Sequence, residues 1–355
     1  KLSFEIPNPF RRVTLGERML FARYLAVMIG AGLVLNRGFE ALEEQSGNPK
    51  FKKILIDLRT SIVAGKTFSE GLKPYEKIFG ILFINMVEAG EISGNLVKVL
   101  KLLAKQMKRD HDIRAKVRGA LIYPAIVLFA LGLIGVLMMI YVVPTLTQTF
   151  KELDVQLPLT TRIIISRSNA LLNYYWYIGG ALAAVVFGFT RLLKSPAGKR
   201  IFDKIIIRVP VFGPLIQKLN SARFARTLSS LISAGVPIIR SLEVTAAVLG
   251  NANFRESLET ASASIQKGEP LSQILKKHPE LYPAMVTQMV QVGEETGTTS
   301  QMLLRLALFY EEEVNNTTKN MSSIIEPVLM LVIGGIVGLF ALSIIQPIYG
   351  SLGNI

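Results

Sequence analysis

The chain contains no cysteine, two histidines and one tryptophan among its 355 residues. The absence of cysteine excludes disulfides, thiolate metal sites and cysteine nucleophiles. His111 sits between Asp110 and Asp112, but adjacent residues on a helix point apart, and residues three or four apart share a face. No Ser/His/Asp set, zinc spacing or EF-hand loop is present. Ala64-Gly65-Lys66-Thr67 resembles the end of a phosphate-binding loop, but Thr60 stands where that loop needs glycine. The reading is therefore of a chain with no catalytic, cofactor-binding or metal site, and not of an enzyme.

Charge is also absent, from three long stretches. Gly119 to Phe150 carries none, nor does Ser168 to Thr190, nor anything after Glu326. A bilayer crossing takes roughly 20 helical residues. Half the residues are hydrophobic and the mean hydropathy is +0.41, which points to membrane spans before any soluble fold. Tyr174, Tyr175, Trp176 and Tyr177 cluster at one end of the second run, where an interfacial belt would lie. Lys1 to Arg12, with Pro7 and Pro9 and no apolar core, does not read as a signal peptide. The chain starts without Met, which leaves room for a preceding segment.

The net charge of +14 fits nucleic acid or a cytoplasmic membrane face. Its distribution favours the membrane: 21 Lys/Arg oppose 12 Asp/Glu before residue 121, whereas the segment between the first two runs has only Lys151, Arg162 and Arg167. Lysine and arginine resist translocation, so the basic sides stay cytoplasmic. The expected topology is N-terminus cytoplasmic and C-terminus periplasmic, with no nucleic-acid role.

The sequence is duplicated. At a single offset of 203, Phe21-Ala22-Arg23 falls on Phe224-Ala225-Arg226, and Gly90-Glu91 and Gly94 fall on Gly293-Glu294 and Gly297. Pro124 and Pro144 fall on Pro327 and Pro347. Each copy is a soluble region followed by one apolar run, and the second run, which has no partner, returns the chain to the starting side. Apolar spacing of three and four predicts helices over 15–31, 39–45, 51–64, 78–88 and 96–118, the last continuing into the first span. The fold class follows: an all-α membrane protein with two homologous cytoplasmic helical-bundle domains, 1–118 and 194–323, and three transmembrane helices, 119–145, 173–193 and 324–347. A periplasmic segment, 146–172, and a short tail, 348–355, complete it.

In Gly-Glu-x-x-Gly, glycine is expected to end one helix and Ser93 or Thr296 to start the next, with Glu91 and Glu294 near a helix N-terminus. A salt bridge within the bundle is one role for Arg23 and Arg226, and a surface role in assembly is the other. A small membrane transporter or membrane-bound enzyme is the rival class. It calls for polar groups at membrane depth, and Glu326 at one edge is the sole charged candidate.

Together these features resemble the type II secretion system protein F family, which includes the type IV pilus platform protein. The resemblance rests on Phe21 and Arg23, Phe224 and Arg226, the two Gly-Glu-x-x-Gly motifs, Tyr123-Pro124 and Glu326-Pro327. Pro144, Phe150, Leu157-Pro158 and Thr161-Arg162 also fit. The short N-terminal segment that family members often carry is not in this sequence, and Ile92 stands where the second copy has Glu295. The resemblance implies an inner-membrane platform that contacts a cytoplasmic hexameric secretion or pilus ATPase, pilins or pseudopilins, other inner-membrane assembly proteins, membrane lipid and further copies of itself.

Overall fold

The computed structural model describes residues 12–152, 159–210 and 212–352, and every regular element among them is a helix. The first copy starts at Thr14. Its hydroxyl accepts from the Glu17 N–H at 3.1 Å, and the Glu17 carboxylate accepts from the Thr14 N–H at 2.6 Å. This reciprocal cap opens α1 (Leu15–Gly30). After α2 (Leu35–Gln45), the Asn48 amide oxygen accepts from the N–H groups of Lys50 and Phe51 and starts α3 (Pro49–Val63). Then come α4 (Phe68–Leu72), α5 (Glu76–Phe79), α6 (Ile81–Ile92) and α7 (Leu96–Leu137). The single helix expected over 78–88 is broken at Gly80, and the short α4 was not anticipated.

A π turn, Met138–Val142, joins α7 to α8 (Val143–Glu152). It ends two residues before Pro144, which cannot donate to the carbonyl one turn back, and widening the helix by a residue accommodates that loss. The Ser168 hydroxyl donates to the Met139 carbonyl in this widened turn. Ser168 lies on α9 (Leu159–Lys194), which kinks at Tyr174. The stretch expected as a periplasmic connection is thus helical on both sides of residues 153–158. Leu157-Pro158 fall in that gap, outside the described residues.

After α10 (Pro196–Ile206) the second copy repeats the first, with α11 (Phe212–Ser233), α12 (Ile238–Val248), α13 (Ala252–Ile265), α14 (Leu271–Lys276), α15 (Ala284–Glu295) and α16 (Thr299–Leu352). Local chemistry is repeated as well. Asn251 caps α13 as Asn48 caps α3. The turn that mimics a phosphate loop is a helix stop in both copies, with Gly65 and Gly268 at φ +81° and +86°, a conformation other residues adopt only with strain.

The chain divides into two compact units. The first comprises the bundles of both copies, up to Ala115 and from Asp203 to Asn315. The Phe21 ring lies at the centre of the first copy's bundle, 5.6–6.3 Å from the rings of Phe39, Phe51, Phe68, Phe79 and Phe83. The same positions in the second copy hold Leu242, Phe254, Leu271, Tyr282 and Val286 around Phe224, all buried. Tyr282 brings a hydroxyl into this core and shares a hydrogen bond with Ser257 at 2.7 Å. Burial pushes its pKa up, so the phenol stays neutral.

The second unit comprises residues 116–202 and the chain after Asn316. Leu96–Gln148 and Tyr174–Leu193 each contain a helical stretch long and apolar enough to cross a membrane, and almost none of it is buried. Phe129, Trp176 and Leu331 are about three-quarters exposed. The third uncharged run lies on α16, where Leu329–Ser343 is a shorter apolar stretch. Apolar faces of this extent are solvated by lipid, not by water.

Phe21→Ala should cost about 3–5 kcal/mol through the cavity left among five rings. Thermal unfolding of the detergent-solubilised chain checks this, and a change of under about 1 kcal/mol would contradict the central position of the ring.

Candidate functional site

The Gly-Glu-x-x-Gly motif forms the same knot in each copy. Glu91, in the last turn of α6, reaches across to the start of α4 and accepts from the N–H groups of Phe68 at 2.5 Å and Ser69 at 3.0 Å. Glu294 does the same for α14, accepting from Leu271 at 2.7 Å and Ser272 at 3.1 Å. A helix leaves its first N–H groups without internal partners and carries positive potential there. One carboxylate satisfies two of them with charge-assisted bonds. The expectation that these glutamates stand near a helix N-terminus is met, and the helices concerned are α4 and α14.

The two glycines of the motif do different jobs. Gly94 and Gly297 have φ +66° and +68° and turn the chain from α6 into α7 and from α15 into α16. Gly90 and Gly293 lie within their helices, and neither ends one. A Cβ on Gly90 would stand 3.0 Å from a Val99 methyl and 3.2 Å from the Leu96 Cα. On Gly293 it would stand 2.8 Å from the Thr299 Cα. Here glycine lets successive helices cross in close contact. Ser93 and Thr296 do not start the next helix either, because their hydroxyls donate back to the carbonyls of Ala89 and Val292.

The paired arginines have diverged. Arg226 is buried and its Nε donates to Glu311 at 2.8 Å, with Arg109 of the first copy 3.9 Å from the other carboxylate oxygen. Arg23 is exposed. The reason is on the neighbouring helix: the residue 203 positions before Glu311 is Lys108, so Arg23 has a cation where Arg226 has its anion. The salt-bridge role therefore holds for Arg226 alone.

Arg226 stands at the seam between the bundles. The Gln106 amide donates to the Thr227 hydroxyl at 3.3 Å, Arg223 pairs with Asp110 at 3.5 Å, and the Arg240 Nε donates to Asn85 at 3.0 Å. Leu231, Ala234, Val236 and Val244 of the second copy are buried in the core of the first. A cleft of roughly 330 Å³ opens beside these contacts. Burial lowers the Arg223 pKa, Asp110 opposes the shift, and Arg114 adds to it.

Of the residues expected at the membrane side, Pro124 is buried within α7, Pro144 lies in the first turn of α8, and Glu326 and Pro327 are exposed on α16. Pro347 lies on the same helix. These residues belong to the second unit, whereas the knots belong to the first. Among the described residues no group of acidic residues and histidines is arranged to hold a metal ion.

Comparison with protein families matches this chain to "Type II secretion system (T2SS), protein F" twice, over residues 21–144 and 224–347. The two ranges keep the 203-residue offset throughout. The chain belongs to the type II secretion system protein F family. A type IV pilus assembly protein PilC from Thermus thermophilus is 38% identical over 351 residues, 99% of this chain and 86% of that protein. PilC from Myxococcus xanthus is 36% identical over 338 residues, 95% of this chain and 81% of that protein. Type II secretion system protein F from Aeromonas hydrophila is 32% identical over 344 residues, 96% of this chain and 87% of that protein. The matched family segments begin at Phe21 and Phe224 and end at Pro144 and Pro347. Each family segment thus joins a bundle to its apolar helix.

Sequence reasoning missed the partner of each motif glutamate and the Arg226–Glu311 pair. The repeat offset carried a signal for the second: aligning the copies sets Glu311 against Lys108 and shows that the two arginines cannot be equivalent.

Glu294→Ala leaves two N–H groups uncapped and should cost about 1–3 kcal/mol, with Glu294→Gln milder because one oxygen remains. Gly293→Ala should cost a similar ~1–3 kcal/mol by overpacking against Thr299. Glu311→Ala strands the Arg226 charge and should cost about 3–5 kcal/mol. Arg23→Ala should stay within about 0.5 kcal/mol. Chemical denaturation of the five variants ranks them, and equal losses for Glu311→Ala and Arg23→Ala would refute the divergence of the arginines.

Proposed function

We infer that this chain is the inner-membrane platform of a type IV pilus or type II secretion machine. It couples a cytoplasmic hexameric assembly ATPase to the assembly of pilins or pseudopilins. The observation that carries this reading is the duplication: twice, a capped bundle releases its last helix, α7 or α16, without a break into an uncharged apolar run. A continuous helix resists bending, so a push or rotation applied to the bundle reaches the bilayer along its backbone hydrogen bonds. The similarity to proteins named for type IV pilus assembly and type II secretion supports the same reading.

In this arrangement the bundles, 1–118 and 194–323, lie in the cytoplasm, and 119–145, 173–193 and 324–347 cross the membrane. The segment 146–172 and the tail 348–355 face the periplasm. Two exit helices in the same sense require one return, and α9 provides it. Basic residues next to the spans, such as Arg114, Lys116, Arg118 and Arg191, face anionic lipid on the cytoplasmic side. Other inner-membrane assembly proteins and further copies of the chain complete the platform. A transporter reading gains nothing here, because the three uncharged runs offer no ionisable group to a substrate.

Reporter fusions should place Leu157 outside and Gln266 inside the inner membrane, and a shared side would break the three-crossing topology. The membrane-embedded full chain should co-purify with the assembly ATPase of its own machine. Failure of that capture, with the chain intact and correctly oriented, would remove the coupling.

A further inference from the structure

The two bundles touch through different faces. The second copy offers α11 and α12, carrying Arg223, Thr227, Leu231, Val236 and Arg240. The first receives them on α6 and α7, through Asn85, Gln106 and Asp110. Had the relation been two-fold, the reciprocal faces would also meet within the chain. They do not: the equivalent face of the first copy exposes Leu20, Tyr24, Val27 and Leu33, at 38%, 43%, 60% and 39%. The equivalent face of the second copy exposes Met285, Val292, Leu308 and Phe309, at 42–46%. One chain therefore ends with an unused donor face on α1 and α2 and an unused acceptor face on α15 and α16. Such a contact is heterologous and repeats from molecule to molecule.

We propose that a second copy of this chain docks its α1–α2 face on the α15–α16 face of the first and reproduces the contact between the two bundles. Apart from Arg223 and Asp110, which become Leu20 and Glu313, the polar seam residues that replace one another at the 203 offset remain complementary. The polar pair Gln106 and Thr227 becomes Phe309 and Tyr24, so both sides turn aromatic together. Asn85, which accepts from Arg240, becomes Gln288, and Arg240 becomes Arg37, which keeps the same amide–guanidinium chemistry. Arg37 already holds Glu40 at 2.6 Å, as Arg240 holds Glu243 at 2.9 Å. Around Glu311 two of the three charges invert, while Arg226 keeps its sign as Arg23. Inside the chain, Glu311 stands between Arg226 and Arg109. Across chains the corresponding residues are Lys108, Arg23 and Glu312, so the exposed Glu312 of one molecule meets two cations of the next. This gives the exposed Arg23 an anion that its own bundle lacks. The contact rests on the part of the platform reading in which the chain associates with itself.

The cysteine-free sequence allows a direct test in native membranes. Tyr24→Cys in one tagged chain and Phe309→Cys in a second, differently tagged chain should be joined by a short bis-maleimide into a species carrying both tags. Gln106→Cys with Thr227→Cys in one chain should join internally without a dimer and so reports that the bundles are folded. Arg23→Glu should weaken the cross-chain product about fivefold, and Glu312→Arg in the partner should restore it. No mixed product while the internal pair still joins would overturn the proposal, as would a dimer formed by Tyr24→Cys alone. Loss of the internal product with unmodified bundle surfaces would remove the template and overturn it too. ATPase capture is scored separately, so a failed cross-link with capture intact rejects this contact and leaves the platform reading standing.

Discussion

The first two N–H groups of α4 point out of a helix only five residues long, and nothing within that helix can accept from them. The Glu91 carboxylate supplies the acceptors from the last turn of α6. Where it does so, α6 is about to turn at Gly94 and pass into α7, and Gly90 has already brought the two helices into contact. Cap, turn and close approach share five residues, so the start of α7 within the bundle is tied to the position of α4. The same five-residue knot at 293–297 ties the start of α16 to α14.

Duplication preserved that corner and released others. The glutamate-to-backbone bonds, the asparagine caps and three of the left-handed glycines, Gly32, Gly65 and Gly94, recur in the second copy, because each satisfies a backbone need that has no alternative nearby. The side chains that fill the core are less constrained: six phenylalanines in one copy become two phenylalanines, two leucines, a tyrosine and a valine in the other. Volume and apolar character survive while identity does not, as expected of cores that tolerate compensating exchange. Surface positions diverged furthest, since each copy presents a different face to its twin. Lys108 and Glu311 occupy one repeat position with opposite charge, so Arg226 has an anion beside it at the seam where Arg23 has a cation on an exposed face.

The repeated architecture was legible in the sequence because it leaves long-range regularities. A gap-free 203-residue offset links Phe21 to Phe224 and Pro144 to Pro347, and no local propensity is needed to see it. The uncharged runs were equally plain, since the hydrocarbon layer excludes charge over a span of residues. The knot was only half legible. Two glycines four apart announced a turn, but a contact between Glu91 and Phe68, 23 residues distant, depends on how three helices pack, and spacing does not encode that. Gly90 and Gly94 look alike in sequence. One is required by crowding from Val99 and the other by a positive φ, and only the packed structure separates them.

Pro144 illustrates how an apolar helix can hold a residue that soluble helices reject. A proline there removes one backbone donor, and a carbonyl left open to lipid would cost several kcal/mol, on the order of the penalty for any unpaired polar group in hydrocarbon. The chain responds with the π turn at Met138–Val142 and with the Ser168 hydroxyl from α9, which donates to the Met139 carbonyl in that same turn. α9 is thereby tied to the π turn after α7 by a polar contact that lipid cannot replace. α9 is the one long apolar helix without a counterpart in the duplication, and this bond gives it a specific partner rather than a merely topological role. The helix that has no partner in the duplication thus also closes the irregular turn beside Pro144.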